Sequence, residues 1–136
     1  MSHQIIRSLF EQRLAVWAAA RELRVAYQGV TFEPTDDETY LAAFTMPAGT
    51  NTNTLSGDHR VYTGVFQINV VTPAGNGTGD AEGLADELGE LFPAYLRLRR
   101  DDFEVMVLTP VEPGPPIQAD NTLTVSASFQ YRADTN

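Results

Sequence analysis

The chain is 136 residues long, the length of one domain and enough to bury roughly two-thirds of its unfolded surface. Its 43% hydrophobic content excludes a disordered chain, no apolar run approaches the roughly 18 residues of a membrane span, and the lack of cysteine excludes disulfides, thiolate metal sites and cysteine nucleophiles. Nine basic against 18 acidic residues leave a net charge of −9, which disfavours duplex DNA or an anionic membrane as a partner.

The opening Met1-Ser2-His3-Gln4 lacks the charged and apolar regions of a secretory signal, so export is not indicated. Residues 3–23 read as an amphipathic helix, because Ile6, Phe10, Leu14 and Trp17 recur at helical spacing on one face. Trp17 completes that face and is expected in the core. Arg7, Arg13 and Arg21 make this the locally basic part of the chain. Between Val25 and Pro34 the pattern breaks into short apolar islands around Tyr27, Val30 and Phe32, followed by the acidic turn Asp36-Asp37-Glu38. Tyr40 to Met46 alternates as a strand does, and Pro47 is expected to end it. Residues 48–58 have no period and little apolar content, which reads as a long polar loop, either binding or locally disordered.

Residues 60–72 give the clearest long strand, with Tyr62, Phe66, Ile68 and Val70 on one face and Gly64 among them. After Pro73 and a glycine-rich turn, residues 80–92 form a second amphipathic helix closed by Pro93. Phe103, Val105 and Val107 alternate with Glu104, Met106 and Leu108 in a strand apolar enough for cover on both faces. A connector rich in proline leads to the final strand, Thr122 to Arg132, whose inward set is Leu123, Val125, Ala127, Phe129 and Tyr131. The order predicts an α+β fold in one domain over residues 1–136: a mixed, largely antiparallel β-sheet with two amphipathic helices packed on one face.

Chemistry is sparse by comparison. With no lysine, the chain lacks the phosphate-binding amine of P-loop enzymes and kinases and every Schiff-base mechanism. Gly75, Gly77 and Gly79 precede a helix as a phosphate loop would, but Asp80 stands where the dinucleotide fingerprint needs its third glycine. A flexible capped turn accounts for the segment. Ser56, Asp58 and His59 are too close along an extended segment to form a catalytic triad, and no oxyanion loop accompanies them. His3 and His59 stand far apart, and neither Asp36-Asp37-Glu38 nor Asp101-Asp102 has the spacing of a calcium loop. No cofactor or metal is expected. Eighteen acids leave a carboxylate-pair hydrolase open as a rival, with no pair singled out.

One surface feature is more specific. Glu82, Asp86 and Glu90 lie at i, i+4 and i+8, an acidic row along the second helix with no cation in that helix to offset it. It is either a solvated face or a docking face for a basic surface, which Arg97, Arg99 and Arg100 or the arginines of the first helix could supply on another copy. Asn51, Asn53 and Leu55 of the polar loop complete the candidate protein contacts.

The layout as a whole resembles one family. The opening amphipathic helix, the Tyr40-Leu41 strand, the run Gly64-Val65-Phe66-Gln67-Ile68-Asn69-Val70, Pro73-Ala74-Gly75, the acidic–alanine helix ending Leu91-Phe92-Pro93 and the closing Tyr131-Arg132-Ala133 are similar to the small tail terminator-like proteins of long-tailed bacteriophages and prophages. The resemblance covers nearly the full chain and rests on structural motifs. It implies a virion structural protein, not an enzyme, made in the bacterial host cytoplasm and placed at the head-proximal end of the tail. There a ring, usually of six copies, caps the tail tube, ends its polymerisation and joins tail to head. The implied partners are other copies of the chain, the tail tube protein and a neck or head-completion protein, with no recognition of nucleic acid sequence and no membrane. Another head–tail joining component of the neck is the nearest alternative. The family lends no functional residue by motif.

Overall fold

The computed structural model describes residues 3–52, 60–75 and 77–134, the side chains of residues 49–52 apart. Helix α1 (His3–Ala20) buries Ile6, Leu9, Phe10, Leu14, Trp17 and Ala18, the stripe expected from spacing. It stops in a Schellman turn: the Leu23 amide reaches back to the Ala18 carbonyl at 2.9 Å, the Glu22 amide to Ala19 at 3.1 Å, and Glu22 takes the left-handed conformation at φ 57°. The helix therefore ends three residues before the sequence pattern runs out.

Strand β1 (Arg24–Tyr27) follows at once and pairs in parallel with β2 (Tyr40–Thr52). A parallel pair needs a crossover of about a dozen residues, and residues 28–39 supply it. Two expectations are corrected here. Pro47 does not end β2; the register shifts between Pro47 and Gly49, and the strand resumes to pair Thr50, Asn51 and Thr52 with Tyr62, Val61 and Arg60. A bulge accommodates a residue without an amide proton, so the proline interrupts the ladder without terminating it. Residues 48–52 are therefore strand and not loop; the rest of that polar segment lies outside the described residues.

Strand β3 (Arg60–Pro73) forms the spine of the sheet with β8 (Thr122–Asp134), in one unbroken antiparallel register from Val61 opposite Asp134 to Pro73 opposite Thr122. Helix α2 (Gly79–Leu91) runs between them in sequence and packs on β8 and β3. Strands β4 (Arg97–Arg100) and β5 (Phe103–Val107) make a hairpin whose two-residue tip is Asp101-Asp102, with Asp101 at φ 54°. In β5 only Phe103, Val105 and Val107 are buried, so the strand is covered on one face and half-covered on the other. Two short pieces in the proline-rich connector, β6 (Glu112–Pro113) and β7 (Ile117–Gln118), then run along β8 beyond the end of β5.

The sheet order is β1-β2-β3-β8-β5-β4, parallel only at β1–β2. Helix α1 touches both edge strands, β1 and β4, which requires the sheet to curl around it. Both helices fill that concave face, and one core results. Its centre is aromatic: Phe10 lies 5.1 Å from both Phe66 and Phe129, and Phe92 stacks on Phe129 at 5.1 Å with 30° between the rings. Such pairs add roughly 0.5–1.5 kcal/mol each beyond their buried area.

Candidate assembly surface

The α2 surface divides into three strips. Ala81, Ala85, Leu88 and the following Phe92 face the core. Glu87 turns towards α1, where the Arg21 Nε donates to its carboxylate at 2.9 Å while the guanidinium lies 4.4 Å from the centre of the Trp17 ring. Glu82, Asp86 and Glu90 occupy the third strip, all exposed and none with an ion pair among the described residues. Asp80 and Glu82 stand in the first turn, where negative charge favours the helix terminus. At the other end, where the Phe92 amide bonds the Leu88 carbonyl at 3.0 Å, the Arg13 Nε donates to the Leu91 carbonyl at 2.8 Å and joins α1 to the helix terminus.

Strand alternation splits the arginine group that proximity in sequence had joined. Arg97 and Arg99 project from the outer face of β4 with side chains 63% and 69% exposed, and both reach Glu104 of β5, at 2.7 Å and 3.3 Å. The Arg97 hydrogen bond is the main reason the Glu104 carboxyl titrates below its ordinary range. Arg100 turns the other way, to the Ser8 hydroxyl at 3.0 Å and the Gln12 side-chain oxygen at 3.1 Å on α1. Beside Glu104, Arg132 donates to Asp134 at 2.9 Å, and a shallow hollow of about 200 Å³ opens between Arg97, Glu104, Met106 and the Arg132–Asp134 pair. Asn51 pairs with Val61 in the ladder, whereas Asn53 and Leu55 lie outside the described residues, as do Ser56, Asp58 and His59.

Sequence reasoning missed one element of this surface. Leu9, Val16, Trp17, Leu91 and Leu98 line an apolar groove of about 560 Å³ between α1, the end of α2 and β4, with Arg13 and Arg99 at its margin. An apolar Val16 outside the core stripe of the first helix was the available signal, and the structure leaves it 75% exposed. Two further hollows are polar. One, of about 530 Å³, is walled by Asp36, Asp37, Glu38, Tyr40 and Asp120; there Arg24 reaches Glu38 at 2.7 Å and lies over Phe32 at 4.6 Å, and its hydrogen bond is the chief cause of the Glu38 carboxyl falling to about 2. The other lies beside the start of α1, where the His3 Nδ1 is 3.0 Å from the Tyr131 hydroxyl; burial lowers the His3 pKa and raises that of Tyr131 to about 12. Among the described residues no three His, Asp or Glu side chains gather at metal-binding range. Gly75 and Gly77 take positive φ in the turn before α2, where glycine is favoured, but the turn is not capped as expected: Thr78 at the helix start makes no side-chain capping hydrogen bond.

An exposed acidic strip, outward arginines on an edge hairpin and an open apolar groove are means of binding protein. A family model described as phage tail terminator protein matches residues 5–131, nearly the whole chain. The chain belongs to the phage tail terminator family. Its role is accordingly in phage tail completion, as a structural component of the tail that works against other tail or head proteins. Among solved structures that match, one chain is 44% identical, with a TM-score of 0.83 over 98% of this terminator and 96% of its own length. No curated protein matches significantly. No helix among the described residues is long and apolar enough to cross a membrane.

Proposed function

We propose that this terminator closes into a ring, most simply of six copies, that caps the head-proximal end of the tail tube, stops its polymerisation and presents a surface to a neck or head-completion protein. Membership of the terminator family over residues 5–131 carries the reading. The surface supports it: a ring is built from a heterologous contact repeated about an axis, which needs complementary patches in different places on one subunit. The acidic strip Glu82–Asp86–Glu90 on α2 and the arginines Arg97 and Arg99 on the outer face of β4 are two such patches. Opposite potentials set register and speed encounter, while like-charge pairings are penalised.

The test is direct. Purified protein added to growing tail tubes is expected to leave rings at one tube end by negative-stain microscopy and to hold the tubes at constant length. Tubes that elongate undisturbed would remove the capping role, and binding to emptied portals in place of tubes would reassign the chain to the neck.

A further inference from the structure

Resting on that ring, we infer that the apolar groove of α1, α2 and β4 is the acceptor half of the contact between copies, and that the exposed Ile117 of the proline-rich connector on the next copy is the knob that fills it. The groove is open to water, with Val16 on its wall 75% exposed and, at its margin, the Arg99 guanidinium, which shares Glu104 with Arg97 and stays largely exposed. Ile117 is the matching feature in chemistry: 62% exposed, held against β8 through its pairing with Thr124, stiffened by Pro115 and Pro116, and accompanied by the exposed acids Glu112 and Asp120. Apolar surface thus meets apolar surface while carboxylates meet arginine. Prolines with fixed φ leave the knob little freedom to lose when it docks.

The two halves belong to different copies because they cannot meet within one. Leu98 in the groove aligns through Val105 with Ala133, and Ile117 aligns with Thr124. Nine residues of β8 therefore separate the two levels, roughly 30 Å at about 3.4 Å per residue. A groove at one end and a knob at the other define a head-to-tail contact, the kind that closes into a ring. A two-fold pairing of groove on groove would instead oppose Arg99 to Arg99. The acidic strip spans the two levels: the Ala74 amide bonds the Asn121 carbonyl at 3.0 Å and ties the approach to α2 to the end of the connector, while Glu90 directly precedes Leu91 of the groove wall.

The chain contains no cysteine, which makes the test clean. Val16→Cys and Ile117→Cys, both at exposed positions, are prepared separately, mixed and treated with a short bis-maleimide, in solution and on tube ends. The mixture is expected to give linked dimers at least tenfold above either variant alone, and the double variant a ladder ending at the ring number. Linkage of Val16→Cys to itself as strong as in the mixture would overturn the inference in favour of a two-fold contact. Capping of tubes without any Val16–Ile117 linkage would overturn it while leaving the ring reading intact. Linkage without capping would keep this contact and remove the capping role, and the absence of both would remove the two together.

Discussion

Gly64 sits where three backbones converge. It lies opposite Tyr131 in the β3–β8 ladder and opposite Pro47 at the bulge of β2. A Cβ placed on it would come within 2.6 Å of the Met46 carbonyl oxygen and of the Tyr131 ring, distances no side chain tolerates. The tyrosine covers the bare glycine and is fully buried there, so the site has no room to relax. Gly64→Ala is expected to destabilise the fold by about 2–3 kcal/mol in urea titration, the cost of overpacking a rigid core. Thr45 presents the opposite case. It is 8% exposed on the helix-facing side of β2, its amide is satisfied by the Gln28 side chain at 2.7 Å, and its hydroxyl finds no partner among the described residues. Thr45→Val keeps the β-branched shape and removes a stranded polar atom, so the same titration should show a gain of about 1 kcal/mol. A third residue, Glu38, ties the β1–β2 crossover to Arg24, and its carboxyl lies at about 2 against an ordinary 4.5. A carboxyl depressed in the folded state stabilises fully above the ordinary value and loses that contribution as pH falls through the folded one. The crossover should therefore loosen between pH 4.5 and about 2. Arg24→Gln should return the Glu38 titration, followed by carboxyl carbon NMR, towards its ordinary value.

Elements were legible where side-chain period and packing coincide, and hidden where the backbone alone decides. The end of α1 is an example of the second kind. The left-handed position that closes the Schellman turn is usually glycine, and here it is Glu22, so nothing in the residue types marks the stop. An L-residue there costs roughly 1–2 kcal/mol. Glu22→Gly should recover about 1 kcal/mol and raise Tm, whereas at mid-helix the same change would lower it. The extension of β2 past Pro47 was hidden for a related reason: residues 48–52 hold their place by main-chain pairing with β3, which polar side chains neither announce nor prevent. Strands β1 and β4 are only four residues each, and β4 reads as an arginine cluster because three of its four side chains are charged. Edge strands commonly carry charge, which discourages pairing with foreign strands. In contrast, β3, β8 and both helices bury every aromatic that their periodicity placed inwards, and the aromatic centre of the core follows from them. The acidic row of the candidate surface was equally legible, being a matter of helical spacing. The apolar groove was not, because Leu98, Val16 and Leu91 come from three elements that only the curl of the sheet brings together.

At the scale of the molecule, the proposed ring would require a protein with net charge −9 to associate with its own copies. Spread evenly, that charge would repel sister molecules. Here much of it is neutralised locally: Arg21 holds Glu87, Arg24 holds Glu38, Arg97 and Arg99 share Glu104, and Arg132 holds Asp134. The strip Glu82–Asp86–Glu90 is left uncompensated on α2, while Arg97 and Arg99 share one carboxylate between two guanidiniums and so keep an excess of positive charge on the outer face of β4. Reversal of the strip by Glu82→Arg, Asp86→Arg and Glu90→Arg changes only exposed positions on a helix that retains its buried face, so circular dichroism should be unchanged. Assembly followed by light scattering should be lost, and a compensating Arg97→Glu with Arg99→Glu should restore part of it. Wild-type assembly should also weaken as salt rises from about 0.01 M to about 1 M, since the screening length falls from about 30 Å to about 3 Å. Unchanged scattering in the reversed variant would mean that the row is a solvated face, and that shape alone holds the copies together.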